Sequence, residues 1–300
     1  MPLSFEVQGH RGARGLFPEN TLEGFRAARG LGVMAFELDV GLTRDGVVVV
    51  SHDPALNPDI TRDRDGQWLS RQGPLIRDLT LAELGRYDVG RIRPGTRYAS
   101  LFPDQIAIDG AHIPTLLDVL RLDDQTRFNI EMKTDPAHPE RTAHPVVLAD
   151  AVLAAIDLTG AAGRVLIESF DWRGPRHVRA VRPDMPTAWL TSRTTEAASG
   201  LWWGGRELAD HHGSVARAVA AEGGLVWAPQ YQTLTQDRLS EAHALGLLVL
   251  PWTVNQPPDI RRLILWSVDG VITDRPDLAL RILGQGHNTR GSVRPIPRRQ

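Results

Sequence analysis

Three acidic residues stand where a parallel sheet would bring them together. Glu37 and Asp39 lie two apart in an apolar run, and residues i and i+2 of a strand point to the same face. Glu131 has a similar place in a second run. Carboxylates about 5 Å apart, at an effective dielectric constant of about 20, repel by on the order of 3 kcal/mol per pair. We therefore expect them to bind a divalent cation. Oxygen ligands favour Ca2+ or Mg2+, with Mn2+ as a further candidate.

Salt bridges offer an alternative explanation for the same acids. Arg11 and Lys133 could neutralise these acids as salt-bridge partners without a metal. For an isolated pair of acids this explanation would be preferred. The presence of three acids at strand ends favours the metal site.

Two histidines follow apolar runs in the N-terminal half, His10 after the first run and His52 after a run of valines. Imidazole titrates near neutral pH, so two of them can divide the work of general acid and general base. Hydrolysis of a phosphodiester needs both. Arg11 can bind a phosphate bidentately, and Lys133 can add a point charge. These types together predict His10, His52 and Arg11 as catalytic residues.

Two aromatic residues, Phe170 and Trp252, lie at predicted strand ends. We expect them to form an apolar wall of the substrate pocket, with core packing as an equally open alternative.

Glu19 and Asn20 also have two interpretations. Asn20 is a favourable helix N-cap with Glu23 three residues on, which predicts a capping box. Alternatively, Glu19 and Asn20 orient the catalytic side chains, and Glu19 is then a candidate substrate-binding residue.

Strand-like runs alternate with segments of helical period, which indicates βαβ units and a parallel sheet. The nine predicted strands are 5–10, 35–40, 47–51, 127–132, 165–169, 187–190, 225–228, 247–252 and 270–272. The turn at Asp45-Gly46 between two of them predicts a hairpin, so 47–51 returns antiparallel and brings His52 near Asp39. Eight parallel strands with helices remain, as in a (β/α)8 TIM barrel with an extra β-hairpin arm.

The barrel is expected to form a single domain over 1–284. Residues 54–111 break the strand-helix rhythm, are rich in Asp, Arg, Gly and Pro, and contain one helical piece near 81–87. They predict an insertion that caps the barrel mouth. The segment 285–300 is rich in Gly, Pro and Arg and lacks acidic residues, which predicts a disordered basic tail.

Composition excludes several classes of function. The 300 residues are 42% hydrophobic and 23% charged, with a formal net charge of -2 and no cysteine. Disulfides, thiolate chemistry and zinc-thiolate sites are excluded, and no charge excess favours nucleic acid or an anionic membrane. We find neither a signal peptide pattern nor about 18 continuous apolar residues. We therefore expect a cytoplasmic protein without stable membrane anchoring. The sequence does not determine the oligomeric state.

An ordered set of short motifs gives the chain a specific resemblance. The motifs are His10-Arg11-Gly12, Pro18-Glu19-Asn20-Thr21, Glu37-Leu38-Asp39, Thr43-Arg44-Asp45-Gly46, His52-Asp53, Glu131-Met132-Lys133, Ser169-Phe170-Asp171, Trp252-Thr253-Val254-Asn255 and 269–274, DGVITD. In this order, the set resembles the glycerophosphodiester phosphodiesterase (GDPD) family, within the superfamily of phospholipase C-like phosphodiesterases. The resemblance covers nearly the whole chain except the insertion and the tail.

The resemblance implies a TIM barrel that hydrolyses glycerophosphodiesters to sn-glycerol 3-phosphate and an alcohol. It implies His10 and His52 as the acid/base pair, Arg11 on the phosphate and Lys133 in the site. Glu37, Asp39 and Glu131 would be the ligands of Ca2+ or Mg2+. First attack by the substrate's own hydroxyl and direct attack by water both stay open.

Other functions remain as alternatives. A lysophospholipase D-like enzyme acting on lysophospholipids would need an apolar groove and a membrane-contacting surface. A catalytically inactive ligand-binding barrel would be expected to lose a histidine or a carboxylate. A sugar-metabolising metal barrel would share the acids but not the His-Arg-Gly and His-Asp pairs. The sequence favours the small-molecule phosphodiesterase.

Overall fold

The computed structural model describes residues 5–286 and contains all nine predicted strands. The strands are β1 Glu6–His10, β2 Ala35–Leu42, β3 Val48–Val50, β4 Arg127–Met132, β5 Val165–Ser169, β6 Thr187–Thr191, β7 Val226–Pro229, β8 Leu248–Val249 and β9 Gly270–Thr273. The eighth differs most from its predicted range, because regular pairing covers two residues of the six that were expected.

Eight parallel strands form the barrel in the order β8-β7-β6-β5-β4-β2-β1-β9, and β3 pairs antiparallel with β2. Backbone hydrogen bonds from Asp269 N to Val249 O (3.1 Å) and from Ile272 N to Pro251 O (3.0 Å) join the first and last strands of this order. The barrel is therefore nearly closed, and the predicted (β/α)8 fold with its hairpin arm is confirmed.

Twelve α-helices connect or flank the described strands. They are α1 Leu22–Gly30, α2 Leu81–Leu84, α3 Arg97–Leu101, α4 Leu116–Leu120, α5 Pro145–Thr159, α6 Arg173–Val181, α7 Arg193–Ala197, α8 Ser199–Trp202, α9 Val215–Ala221, α10 Gln236–Ala244, α11 Pro257–Leu265 and α12 Pro276–Gly286. The prediction that Asn20 caps α1 is wrong. Thr21 is the N-cap and accepts a hydrogen bond from Gly24 N, because Asn20 has a φ of 55° and lies one residue outside the helix.

The strands divide their side chains between two environments, as the period of two requires. Leu38, Ile130 and Ile167 point outward and are completely buried in the apolar layer beneath the helices. Glu37, Asp39 and their polar neighbours point inward. Burial of the outward row against helices fixes the register, so the acids cannot leave the barrel interior without exposing this apolar row.

The 54–111 segment packs beside the loop that follows β1. Its own apolar cluster includes Leu56, Ile76 and Leu84. Ile106 N donates to Leu16 O (2.8 Å), and Gln105 Nε2 donates to Arg14 O (2.7 Å). These contacts with the first loop of the barrel mouth support the proposal that the segment acts as a cap.

One helical stretch, Pro139–Thr159, is long and apolar enough by length and composition to cross a membrane, with a mean hydropathy of 1.4. The sequence analysis expected no such segment. In the folded chain Leu148, Val152 and Ile156 are completely buried on one face of α5, as in a core helix of the barrel.

At the C-terminus, α12 continues to Gly286, so the predicted tail cannot begin at 285. The rest of that tail, 287–300, lies outside the described residues.

Gly9 sets the exit from β1. A Cβ added there would lie 1.8 Å from Gly12 O, because the chain turns back and Gly12 N donates to Gly9 O (3.2 Å).

We expect Gly9→Ala to lower the free energy of unfolding by about 3 kcal/mol or more, since the clash is with backbone. Gly30→Ala is the control, because its Cβ would meet nothing within 4 Å and α1 should tolerate or prefer alanine. Urea unfolding measures both. Equal stability of the two variants would contradict the close approach.

Candidate active site

The three predicted carboxylates meet at the C-terminal ends of β2 and β4. Asp39 and Glu131 are register partners, and Glu37 is the partner of His10 on β1. Glu37, Asp39 and Glu131 each offer a ligand oxygen, and these oxygens lie within 4.8 Å of one another. All three residues are buried. The structure thus brings together the acids that the sequence assigned to a cation.

Arg11 is anchored among acids on three sides. Its Nε lies 3.2 Å from Asp39 Oδ2, and its Nη1 donates to Glu19 Oε1 at 2.6 Å. Its backbone N donates to Glu37 Oε2 (3.1 Å). The φ of Arg11 is 52°, in the left-handed region that few non-glycine residues adopt. The fold thus holds this backbone in a costly conformation that places both its N–H and its guanidinium against the acids.

Lys133, two residues after Glu131, is the second cation. Its Nζ lies 2.8 Å from Glu131 Oε1 and 3.6 Å from Asp39 Oδ1. The salt bridges of the alternative explanation are therefore present in the structure. Whether they suffice depends on how many carboxylates share the interior.

A fourth carboxylate, Glu168, was missed by the sequence analysis. It lies on β5 as the register partner of Glu131 and is 1% exposed. Its Oε2 has no hydrogen-bond partner. Burial, followed by repulsion from Glu131, raises its pKa to about 8. The available signal was its place one residue before Ser169 at a strand end, opposite a predicted ligand.

The pKa values of the other carboxylates show an incomplete charge balance. Burial acts to raise the pKa of Asp39, but Arg11, His52 and Lys133 hold it well below its usual range. Burial and then the charge on Asp39 raise the pKa of Glu37 well above its usual range. Burial also raises the pKa of Glu131 to about 7, although the charge on Lys133 acts to lower it.

Arg11 and Lys133 therefore stabilise one acid fully and leave the others short of positive charge. Glu19, outside the carboxylate cluster, also draws on Arg11. Four interior carboxylates face two cationic side chains, and oxygen donors of this kind fit a hard divalent cation. The donor set of Glu37, Asp39 and Glu131 is consistent with the predicted metal.

Each predicted catalytic histidine is held by an aspartate. His10 Nδ1 lies 2.6 Å from Asp274 Oδ1, and His52 Nδ1 lies 2.7 Å from Asp53 Oδ1. An ionised aspartate accepts a hydrogen bond from the Nδ1–H of the ring, which leaves Nε2 of each ring free to face the pocket. Ser51 N donates to Asp39 O (2.9 Å), so the hairpin places His52 beside the acids as predicted.

Asp274 is itself fixed by two other residues. Arg14 Nε donates to its Oδ1 (3.0 Å), and Asn255 Nδ2 donates to its Oδ2 (2.7 Å). Burial opposes ionisation, but His10 and Arg14 keep the pKa of Asp274 well below its usual range. The sequence analysis quoted Asp274 and Asn255 within motifs and assigned them no role. Arg14 was not identified at all.

These groups open into one cavity of about 340 Å³ at the barrel mouth, lined among others by His10, Arg11, His52 and Lys133. Glu37, Glu131 and Glu168 also line it. Asp39 is 1% exposed beneath the cavity. Glu19 lies behind Arg11 and is not among the lining residues. The structure therefore gathers most of the predicted site residues around one volume.

An aromatic wall closes one side of the cavity. The Phe170 ring lies edge-on to Trp252 at 5.3 Å between centroids and edge-on to Trp202 at 6.4 Å. Lys133 Nζ is 5.9 Å from the Phe170 centroid. Phe170 and Trp252 both line the cavity. Trp203, by contrast, is fully buried and stacks on Trp172, which is typical of a loop anchor.

The arrangement can bind an anionic group and exchange protons with it. Arg11 and Lys133 supply positive charge, and two imidazoles with oriented Nε2 atoms can act on opposite sides of one reacting centre. The carboxylate cluster adds a site for a cation next to them. Such a combination suits displacement at phosphorus better than acyl or hydride transfer.

Comparisons with known proteins agree with this chemistry. The family model described as "Glycerophosphoryl diester phosphodiesterase family" matches residues 10–278. A protein of Bacillus subtilis (strain 168) named "Glycerophosphodiester phosphodiesterase" is 30% identical over 276 residues, covering 90% of this chain and 83% of its own length.

Solved structures give the same result at the level of the fold. A crystal structure from Silicibacter pomeroyi DSS-3, described as a glycerophosphoryl diester phosphodiesterase, has a TM-score of 0.87 at 39% identity and covers 96% of this chain and 95% of its own. A phosphodiesterase of Oleispira antarctica, solved with the product sn-glycerol-3-phosphate, has a TM-score of 0.70 at 23% identity. It covers 93% of this chain and 96% of its own.

Tyr98 joins the 54–111 segment to the site, because its hydroxyl donates to Glu19 Oε2 while Glu19 Oε1 holds Arg11. We expect Tyr98→Phe to lower the free energy of unfolding by about 1–3 kcal/mol, since a buried carboxylate loses a donor. Tyr87→Phe, in the same segment but away from Glu19, is the matched control. Urea unfolding of both variants is the measurement. A Tyr98→Phe variant as stable as the control would contradict this link.

Proposed function

The chain belongs to the glycerophosphoryl diester phosphodiesterase family, and from that membership we propose that it hydrolyses glycerophosphodiesters to sn-glycerol 3-phosphate and an alcohol. It is a phosphoric diester hydrolase. One observation carries the proposal: two aspartate-bound imidazoles, His10 and His52, share a cavity with Arg11, Lys133 and the carboxylate cluster.

Two cationic side chains would hold the phosphate. The Arg11 guanidinium is kept in place by Glu19, and Lys133, directly after β4, contacts Asp39 as Arg11 does. Phe170 and Trp252 would pack against the carbon atoms of the glycerol or of the alcohol, since ring faces and edges exclude water there. In this proposal Glu19 acts through Arg11 and does not touch the substrate.

The charges around the two histidines are the basis for assigning one as the general base and the other as the general acid. Burial lowers the pKa of His10, but the charge on Asp274, 2.6 Å from Nδ1, acts to raise it and favours a protonated ring. Burial, followed by the charges on Arg11 and Lys133, lowers the pKa of His52 to about 4, which favours a neutral ring. We therefore assign His52 to accept the proton of the attacking hydroxyl, of water or of the glycerol itself. His10 would then donate to the departing alkoxide.

Glu37, Asp39 and Glu131 would hold the divalent cation, with Ca2+ and Mg2+ as the first candidates. When bound, such an ion offsets the negative charge of the carboxylates and of the phosphate. Glu168 lies beside this set, and its raised pKa of about 8 favours the neutral carboxyl group near pH 7. Arg11 and Asn20 would keep Asp39 in position, because both contact its Oδ2.

The relatives support the substrate class. The product named for the Oleispira antarctica structure, sn-glycerol-3-phosphate, is the product expected here. A cavity of about 340 Å³ lined by Arg11, Lys133, Phe170 and Trp252 fits a phosphate flanked by a small polyol.

The activity is tested by release of sn-glycerol 3-phosphate from glycerophosphocholine, with a lysophospholipid as the comparison substrate. We expect the first to be cleaved, and His10→Ala and His52→Ala each to lower turnover by at least about a hundredfold, the usual scale for loss of an acid or base. His177→Ala is the control, because His177 pairs with Asp150 on the helical surface. Turnover above a tenth of the native rate in either variant would reject that histidine's role, and exclusive cleavage of the lysophospholipid would reject the substrate class.

Metal dependence is tested by exhaustive chelation with EDTA followed by removal of the chelator. We expect turnover to be lost and to return with Ca2+ or Mg2+, because the interior carboxylates lack enough positive charge on their own. Binding of the ion is measured separately by calorimetry with the native chain and with Asp39→Asn, which should bind at least about tenfold more weakly. Undiminished turnover of the chelated protein would assign the carboxylates to salt bridges alone.

A further inference from the structure

A second cavity lies at the opposite end of the barrel, where the parallel strands begin. Its volume is about 300 Å³, and Glu6 of β1, Arg127 of β4 and Leu225 before β7 are among its lining residues. It shares no lining residue with the cavity at the barrel mouth. Its size is at the lower end of the roughly 300–1,000 Å³ that is usual for small-molecule sites. We call it the N-terminal cavity.

Three arginines reach the N-terminal cavity from three elements, and they differ in their partners. Arg127 is paired with Glu6, with 2.7 Å between Nη2 and Oε2. Arg164, before β5, donates to Thr126 O (3.0 Å) and to Leu120 O, lies over the Phe128 ring and forms no ion pair within residues 5–286. Arg179 of α6 makes neither a hydrogen bond nor an ion pair with any described residue. Two guanidinium groups therefore face the cavity without a carboxylate partner.

The acids around the N-terminal cavity do not cancel this charge. Glu6 is already neutralised by Arg127. Asp184 lies at the rim with its side chain 72% exposed and 3.5 Å from Arg182, which points elsewhere. Burial lowers the pKa of Arg164, and the charges on Asp123 and Asp124, which do not line the cavity, offset this effect only in part. The N-terminal cavity thus keeps an excess of positive charge.

A buried amide adds an unpaired acceptor to the same cavity. Asn129 lines it and is 2% exposed, and its Oδ1 has no hydrogen-bond partner. The direction of the amide is fixed, because Asn129 Nδ2 donates to Gln8 Oε1 (3.0 Å) and Gln8 Nε2 donates to Glu6 Oε1 (2.7 Å). A buried acceptor without a donor costs about 1–3 kcal/mol.

Apolar side chains form the remaining wall, including Phe128, Leu166 and Leu225. Concave apolar walls with a few convergent polar groups are typical of small-molecule sites. This end of the barrel usually serves stability alone, since catalysis belongs to the other end. Two guanidinium groups without a carboxylate partner, of which Arg179 has no hydrogen bond to any described residue, are the opposite of what stability requires.

We propose that the N-terminal cavity binds a small organic anion. Its carboxylate or phosphate group lies against Arg164 and Arg179, and its apolar body lies against Phe128 and Leu225. The guanidinium groups supply the charge-assisted hydrogen bonds that such an anion needs. The site is separate from the proposed phosphodiesterase site and does not depend on that function.

The probe is 4-fluorobenzoate, followed by fluorine NMR in a titration of the full chain, with neutral 4-fluorobenzyl alcohol as the matched ligand. We expect saturable binding of the benzoate and at least about tenfold weaker binding of the alcohol, because one charged contact is lost. Arg179→Met should weaken the benzoate at least about fivefold. Arg182 is an arginine of the same region that does not line the cavity, so Arg182→Met should leave benzoate binding unchanged.

Two further variants separate this site from the active site and from misfolding. Lys133→Met removes a cation from the barrel mouth and should not change benzoate binding. Ala162→Phe fills the N-terminal cavity and should abolish benzoate binding while release of sn-glycerol 3-phosphate continues. Equal binding by the native chain and by both Arg179→Met and Ala162→Phe would overturn the proposal. So would loss of binding in Lys133→Met, or binding of the alcohol as tightly as the benzoate.

Discussion

The burial of negative charge inside the barrel is the constraint on which the rest of the site depends. Glu37, Asp39, Glu131 and Glu168 are each at most 7% exposed. Removing a carboxylate from water costs several kcal/mol unless a charge or hydrogen bonds replace the solvent. Arg11 and Lys133 supply part of that replacement. The unusual backbone at Arg11 and the close approach at Gly9 are understandable as the means of bringing a guanidinium and an N–H to this point.

The fold was largely predictable because its signals are local and periodic. Alternation within runs such as 36–40 determines which side chains face inward, and the Asp45-Gly46 turn determines that β3 returns beside β2. Parallel pairing then places the C-terminal ends of the strands together. The convergence of Glu37, Asp39, Glu131 and His52 follows from these facts alone, without knowledge of any contact.

The supporting residues were not predictable in the same way, because they depend on contacts between distant parts of the chain. Asp274 is 264 positions from His10, and Tyr98 is 79 positions from Glu19. Neither partner is defined by periodicity. Asn20 shows the related limit of local rules, since a favourable capping residue was drawn out of the helix by its hydrogen bond to Asp39 (2.9 Å). A tertiary contact with a buried charge outweighed a local preference worth about 1 kcal/mol.

The same constraint explains why the barrel interior is polar along much of its length. Barrels of this kind commonly fill their centre with branched apolar side chains. Here Glu6, Gln8 and Asn129 form a hydrogen-bonded row below the carboxylates, ending at Arg127. Polar side chains in this row can satisfy one another, but each amide has one donor group and one acceptor, so a row of this length leaves an acceptor at its end. The unpaired Asn129 Oδ1 is that acceptor. An interior built to carry charge at the mouth therefore leaves one acceptor without a donor towards the opposite end, where Arg164 and Arg179 lie without a carboxylate partner.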